Sequence, residues 1–383
     1  MIKTALKFIL YDKPKSLGAL AGMVISIFLV GQQVGIFIFL TNAMKSLVTN
    51  NSGYIWVVDS KTENANQLTN LDMRVGRALA SIPGVEKVYP VVVAPGAAKF
   101  ANGKTAALLL VGSQAPEFVG GPWGEIPIDP ALMLPGGAVV TEFFDKMNLG
   151  GLEVGEYFEI NGSKVYNAAV TRGARGFGGG AYTFTTIERA RALARVPADK
   201  ATIFLVKWQA DAPKQAVIAR INHTLSNVRA WDPERFAAST VTNVLSSSGI
   251  AFSVGTLIVF AVITGFVIIG LTLYSAAIDR IKDYGTLKAI GATKGYITRL
   301  VLTQALLISI VGYVIGFFLI EGFRKGIANA GTAFTFTPAV HAGIFLLTLG
   351  IALGGCLFAI RRLNSGAPAA VKLESPLKVK LEN

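Results

Sequence analysis

Four long apolar runs dominate the chain, at 17–41, 250–276, 298–320 and 341–360, and none holds a Lys, Arg, Asp or Glu at its centre. A helix needs roughly 20 such residues to cross ~30 Å of hydrocarbon, so each run reads as a membrane span. The first run is apolar from Leu17 to Leu40, and "TNA" at 41–43 is a poor cleavage site. It exceeds the ~7–15 residues of a signal-peptide core and reads as a retained anchor. Before it, Ile2, Leu6, Ile9 and Leu10 recur at helical spacing with Lys3 and Lys7 on the other side, and Pro14 ends the segment. That pattern predicts a helix lying in the membrane interface, or else the start of the first span.

Between the first and second runs the pattern changes to short alternating and apolar stretches. "GYIWVVDS" (53–60), "PGVEKVYPVVV" (83–93), "TAALLLVGS" (105–113), "TIFLVKW" (202–208) and "VRAWDP" (228–233) read as strands. "LDMRVGRALASI" (71–82) and "PKQAVIARINHTL" (213–225) carry helical spacing, and 136–149 reads as a strand followed by a helix. "EYFEINGSKVYNAAVTR" (156–172) alternates about Asn161-Gly162, a strong hairpin signal. The unit from 202 to 233 predicts a small α+β subdomain, and the serine-rich 239–248 a helical stalk back to the membrane. "TRGARGFGGGAYTF" (171–184) reads as an exposed hairpin tip or as a flexible loop that contacts substrate or a partner. The fold class is therefore an α-helical membrane protein with four transmembrane helices and a mixed α+β extracytoplasmic domain inserted between helices 1 and 2.

Composition supports this picture: 52% of the 383 residues are hydrophobic and 15% charged. The formal charge of +13 is unevenly placed, since residues 45–245 hold 20 Lys+Arg against 17 Asp+Glu. Most of the excess lies at Lys3, Lys7, Lys13 and Lys15, at Arg280, Lys282, Lys288, Lys294 and Arg299, and at Arg361, Arg362, Lys372, Lys378 and Lys380. Cytoplasmic flanks attract Lys and Arg. All three clusters share one side when both termini are cytoplasmic. The organisation is an interfacial helix at 1–16, spans at 17–44, 246–278, 298–320 and 341–363, and an extracytoplasmic domain at 45–245. A cytoplasmic helix at 279–297, an extracytoplasmic loop at 321–340 and a cytoplasmic tail at 364–383 complete it. The basic excess reads as topology and lipid contact, and no basic patch interleaved with aromatic residues points to nucleic acid.

Chemistry-bearing motifs are few. His223 and His341 are the two histidines and Cys356 the one cysteine, so neither a metal cluster nor an intrachain disulfide is expected. Gly103-Lys104-Thr105 imitate the end of a phosphate-binding loop, but Ala98 stands where its first glycine belongs. The spans carry small-residue pairs at Gly18/Gly22, Gly31/Gly35, Gly312/Gly316 and Gly350/Gly354 that allow close helix packing, within the chain or in a dimer. Gln32, Gln33 and Gln304 lie mid-span and either bond between helices or line a substrate path.

The stretch 279–297, "DRIKDYGTLKAIGATKGYI", combines an apolar stripe (Ile281, Tyr284, Leu287, Ile290) with Asp at its start, Lys288 near its end and Gly291 as a stop. It predicts a short rigid helix that either docks a partner or rests on lipid. This stretch, taken from Ile278, resembles the loop between the second and third spans of FtsX/MacB-type ABC transporter permeases, with Asp283 and Tyr284 where Glu and Ile are usual. "SIPGVEKVYPV" (81–91) and "LEVGEYFEINGSKVYNAAV" (152–170) are similar to segments of the MacB-type outer domain. The order of one span, a large domain and three spans is also the same, in a layout like the DevC and haem-exporter branches.

The resemblance implies a permease of a bacterial inner (plasma) membrane, not an enzyme, that binds no cofactor itself. ATP and Mg would sit on a separate cytoplasmic ATPase docked on Ile281, Tyr284, Leu287, Lys288, Ile290 and Gly291. It further implies a second permease copy, a periplasmic adaptor in some members, and export or extraction of an amphipathic cargo such as a lipid, peptide, antibiotic or haem by mechanotransmission. The alternative it leaves is a signal transmitter that moves nothing and activates an extracytoplasmic enzyme such as a cell-wall hydrolase.

Overall fold

Long apolar runs satisfy their backbone polar groups internally only as helices, and a computed structural model of the chain shows four of them long and apolar enough to span a bilayer. The structure describes all residues except 1, 12, 125–126, 143–151, 175, 179, 280–284, 288, 330–333 and 367–383, and only the backbone at 8, 15, 273, 276, 277, 279, 294, 358, 359 and 362–366. The chain divides into a helical unit (Met1–Phe37, Phe252–Ala328, Phe334–Asn383) and an inserted unit formed chiefly by Ile38–Ala251.

In the helical unit, α1 (Ile2–Tyr11) precedes α2 (Lys13–Thr49). Pro14 sits in the first turn of α2, where its missing N–H has no intrahelical acceptor to lose. The helix α2 runs to Thr49, past the expected boundary at 44, and its last turn places Leu47 and Val48 in the core of the inserted unit. The return spans are α7 (Ile250–Asp279), α8 (Lys294–Asn329) and α9 (Pro338–Gly366). The connection between α8 and α9 is accordingly shorter than the expected loop 321–340: the Glu321–Arg324 ion pair at 2.7 Å lies one helical turn apart and α8 continues through it. Met23, Ile27, Ile269, Leu300, Ala305, Ile308, Ala352 and Cys356 form the bundle core.

The inserted unit begins with β1 (Ile55–Asp59), β2 (Leu71–Asp72), α3 (Met73–Ala80), β3 (Val85–Lys99) and β4 (Thr105–Ser113). A short 3₁₀ turn at Pro130–Met133 leads to β5 (Ala138–Glu142), β6 (Tyr157–Ile160), β7 (Ser163–Thr171), β8 (Ala181–Thr186) and α4 (Ile187–Ala194). Then come β9 (Lys200–Ala201), β10 (Ile203–Trp208), α5 (Lys214–Thr224), β11 (Val228–Trp231) and α6 (Pro233–Ser248). Nine strands form one sheet in the order β11-β1-β10-β3-β4-β8-β5-β7-β6. β3 is long enough to serve two neighbourhoods. Its first half pairs with β10, and at its far end Ala98 and Lys99 pair with Ile160 and Glu159 of β6. That last pairing closes β3, β4, β8, β5, β7 and β6 into a ring around Leu108, Leu110, Val139, Phe158, Ile160 and Val165. Asn161, in the left-handed conformation at the β6–β7 turn, accepts from the Ala97 N–H and donates to the Leu193 carbonyl, both at 2.9 Å, and so ties the turn to β3 and α4.

Two expectations need correction. Residues 181–184 are no loop tip: they open β8, a buried strand between β4 and β5 on which Tyr182 and Phe184 point into the core. The glycines that precede it mask a strand whose neighbours come from distant sequence. The 202–233 segment is likewise not a separate subdomain, because β1 lies between β10 and β11. The helix expected over 143–149 lies outside the described residues.

Candidate functional site

The connection between α7 and α8 joins two spans through few residues. Ile281, Tyr284 and Lys288 lie outside the described residues. Nearer α8, the Ile290 N–H donates to the Thr286 carbonyl at 3.0 Å and the Ala292 N–H to the Leu287 carbonyl at 2.8 Å, one closing turn of helix. Gly291 takes φ +102°, a conformation that costs glycine nothing and ends the turn. Thr293 then opens α8: its hydroxyl accepts from the Tyr296 N–H at 3.2 Å. The apolar residues of this turn part company. Leu287 is half-buried and packs against the bundle core, whereas Ile290 is 80% exposed. Leu287 thus anchors the connection and Ile290 is presented by it. Arg299, one turn into α8, is exposed as well.

The small residues of the spans meet neighbours within the chain. A side chain at Gly22 would run into Ile268, at Gly31 into Ile320, and at Gly35 into the ring of Phe334. On α8, a Cβ at Gly312 would stand 2.6 Å from Met23 Cγ, and one at Gly316 would stand 2.7 Å from Ile27 Cγ2. Gly18 is looser, with only Thr272 at 4.0 Å, and Gly350 faces open space. The close approach of α2 to α7 also carries a polar link that residue spacing did not flag. The Ser26 hydroxyl donates to the Ala261 carbonyl at 3.0 Å, beside Gly265. Its signal was a lone serine opposite a small-residue pair, Ala261/Gly265. Gln32, Gln33 and Gln304 are half-buried, and among the described residues no hydrogen bond joins them. His341 lies against the rings of Phe317 and Phe336, and its carbonyl accepts from the Tyr313 hydroxyl at 3.2 Å. Among the described residues no group of three or more His, Cys, Asp or Glu is placed to hold a metal ion.

The inserted unit offers one described groove, of about 440 Å³, where β3 and β6 part beyond their two-residue pairing. Lys99, Tyr157, Glu159 and Lys164 wall it, with the Lys164 ammonium 4.4 Å from the Tyr157 ring centre. The same unit is stapled by Arg189, a residue sequence reading passed over. Its guanidinium donates to the carbonyls of Met133, Pro135 and Ala138 and to the Thr185 hydroxyl, and burial lowers its pKa.

Residues 255–368 match the family described as FtsX-like permease C-terminal. Three solved structures resemble part of this chain at 12% identity. The extracellular domain of the ABC-type transporter YknZ from Gram-positive bacteria is covered to 98% by 46% of this chain, with a TM-score of 0.34. The periplasmic region of MacB from Actinobacillus actinomycetemcomitans is covered to 99% by 53% of this chain, with a TM-score of 0.35. A domain of a putative permease from Porphyromonas gingivalis is covered to 89% by 47% of this chain, with a TM-score of 0.34. Scores this low mark a likeness and no more. No curated protein matches the chain. The family match, by contrast, runs from α7 through α9 and takes in the turn that presents Ile290, so these three spans and their connections are similar to the C-terminal part of FtsX-like permeases.

Proposed function

We propose that this chain is the permease subunit of an ABC transporter, driven by a separate cytoplasmic ATPase that carries the ATP and Mg. The observation that carries the reading is the α7–α8 connection: within the matched permease region, a helical turn anchored by Leu287 and stopped by Gly291 holds Ile290 out of the bundle. An exposed apolar side chain on a short rigid turn suits a groove on a partner protein. With the basic flanks cytoplasmic, that turn faces the ATPase and the inserted domain faces outward.

Coupling follows from connectivity. The 30-residue helix α7 leads from Gly249, at φ +67°, directly into this connection. A push on the turn is delivered along α7 as a rigid rod, and Gly249 is the point that absorbs a change of angle. A second copy of the chain would supply the other half of the assembly, and the cargo would be amphipathic, exported or extracted with or without a periplasmic adaptor.

The test is co-purification from native membranes in mild detergent. A P-loop ATPase should accompany the wild-type chain in stoichiometric amount and be lost, by roughly tenfold or more, with Ile290→Glu. Ile290 serves better than Leu287, because charge at Leu287 would also disturb the bundle core. Retention of the ATPase by the Ile290→Glu chain would overturn the coupling role. A co-purifying extracytoplasmic hydrolase, without cargo-stimulated ATP hydrolysis, would assign the chain to signal transmission.

A further inference from the structure

The helix α1 presents three different surfaces in sequence around its axis. Successive residues turn by about 100°, which places Ala5 and Ile9 on one face, Ile2, Leu6 and Leu10 on the next, and Lys3 and Lys7 beyond them. The structure gives each face a different environment. Ala5 is fully buried and Ile9 packs beside it in the bundle core. The Ser16 hydroxyl donates to the Ile9 carbonyl at 2.8 Å, which clasps the end of α1 to the first turns of α2. Ile2, Leu6 and Leu10 are 66%, 48% and 58% exposed, and Lys3 and Lys7 are exposed next to them. The apolar stripe is continuous in character with the outward face of α2, where Leu17 and Ile25 are also exposed.

We infer that α1 is a binding site for anionic phospholipid headgroups, with Ile2, Leu6 and Leu10 seated among the upper acyl chains and Lys3 and Lys7 paired with the phosphates above them. The order of the three faces is what carries this. Going round the helix, protein core is followed by apolar side chains and those by ammonium groups, as a bilayer surface next to a bundle is ordered. Lysine suits the role because its stem reaches along apolar surface while its head stays in the polar layer. Lys13, at the start of α2, is exposed as well. Anionic rather than zwitterionic lipid is specified because Lys3 and Lys7 are exposed along the same edge of the stripe, and each such cation gains about 1 kcal/mol at a surface of net negative charge. This inference rests on the helical unit being membrane-embedded and not on ATPase coupling, so loss of the coupling reading leaves it standing.

The test uses the full chain in nanodiscs of phosphatidylcholine with a minority of phosphatidylglycerol. Native mass spectrometry of the released protein counts the lipids it retains. The wild-type chain should retain phosphatidylglycerol in preference, K3Q/K7Q should lose that preference by roughly fivefold per lysine removed, and K3R/K7R should keep it. A spin label at position 6 should be shielded from a water-soluble relaxation agent, and one at position 7 should not. Equal retention by the wild type and K3Q/K7Q, or equal accessibility at 6 and 7, would overturn the inference.

Discussion

Single residues in this protein are separated by environment more than by type. Leu287 and Ile290 belong to one apolar stripe in sequence, yet one packs on the bundle and the other does not. Only the second is free to contact a partner. Charge is divided in the same way. Asp72 caps α3: the Arg74 backbone N–H and guanidinium, with Lys200 at 3.3 Å, hold its carboxyl down at about 2. A depressed carboxylate stabilises the fold wherever it is ionised. Its contribution is complete above the unfolded value near 3.8 and is lost as the pH falls through about 2. The wild-type inserted domain should therefore lose melting temperature more steeply between those values than Asp72→Asn. Parallel acid limbs in the two proteins would show that the Asp72 hydrogen bonds do not couple to folding. Asp232 repeats the design at the start of α6: burial works against its ionisation, but Lys214 at 2.6 Å and the Glu234 N–H outweigh burial and lower its pKa.

Elements in the bundle are held by close approach at glycine. Where α2 meets α8, Gly31 admits Ile320 and Gly316 admits Ile27, so the two helices interlock in both directions. Lipid tails are as apolar as leucine, and packing of this kind is what drives helices together. Gly31→Val or Gly316→Val should cost about 1–3 kcal/mol by overpacking, read as a fall in the detergent-solubilised melting temperature. Gly350→Val is the control, because its Cβ meets nothing and its melting temperature should be unchanged. In the inserted domain the corresponding device is the ring closure, where two residue pairs of β3 and β6, with Asn161 clamped beside them, complete a barrel from a hairpin that already existed.

At the scale of the whole molecule, the inserted unit carries its own cores, and the last turn of α2 contributes to them. Leu47 and Val48 lie in one cluster with Trp56 and Phe236, the Asn51 side chain donates to the Leu47 carbonyl at 2.9 Å, and Asn66 donates to the Met44 carbonyl at 2.9 Å. A soluble fragment of residues 42–249 should fold, with a cooperative urea transition. One that begins at residue 53 loses the buried Met44, Leu47 and Val48 side chains, worth about 1.5–3 kcal/mol each, and its midpoint should shift down accordingly. Equal midpoints would show that the α2 stub is dispensable.

What the sequence determined by itself is what depends on near neighbours in the chain. Length and apolarity of a run decide whether it spans a bilayer, so the four spans were legible. Alternation about Asn161-Gly162 decides a hairpin, and β6 and β7 pair as that pattern requires. The stop at Gly291 was legible too, because glycine marks a left-handed end of a helix locally. The tertiary structure alone decided which of those residues face inward. The burial of β8 depends on β4 and β5, which reach it from positions far away in sequence. Closure of the ring depends on β3 and β6 meeting across some sixty residues. The division of labour between Leu287 and Ile290, and of the small residues between packed and open, depends on where neighbouring helices pass. Periodicity names the faces of an element, and long-range packing decides what each face meets.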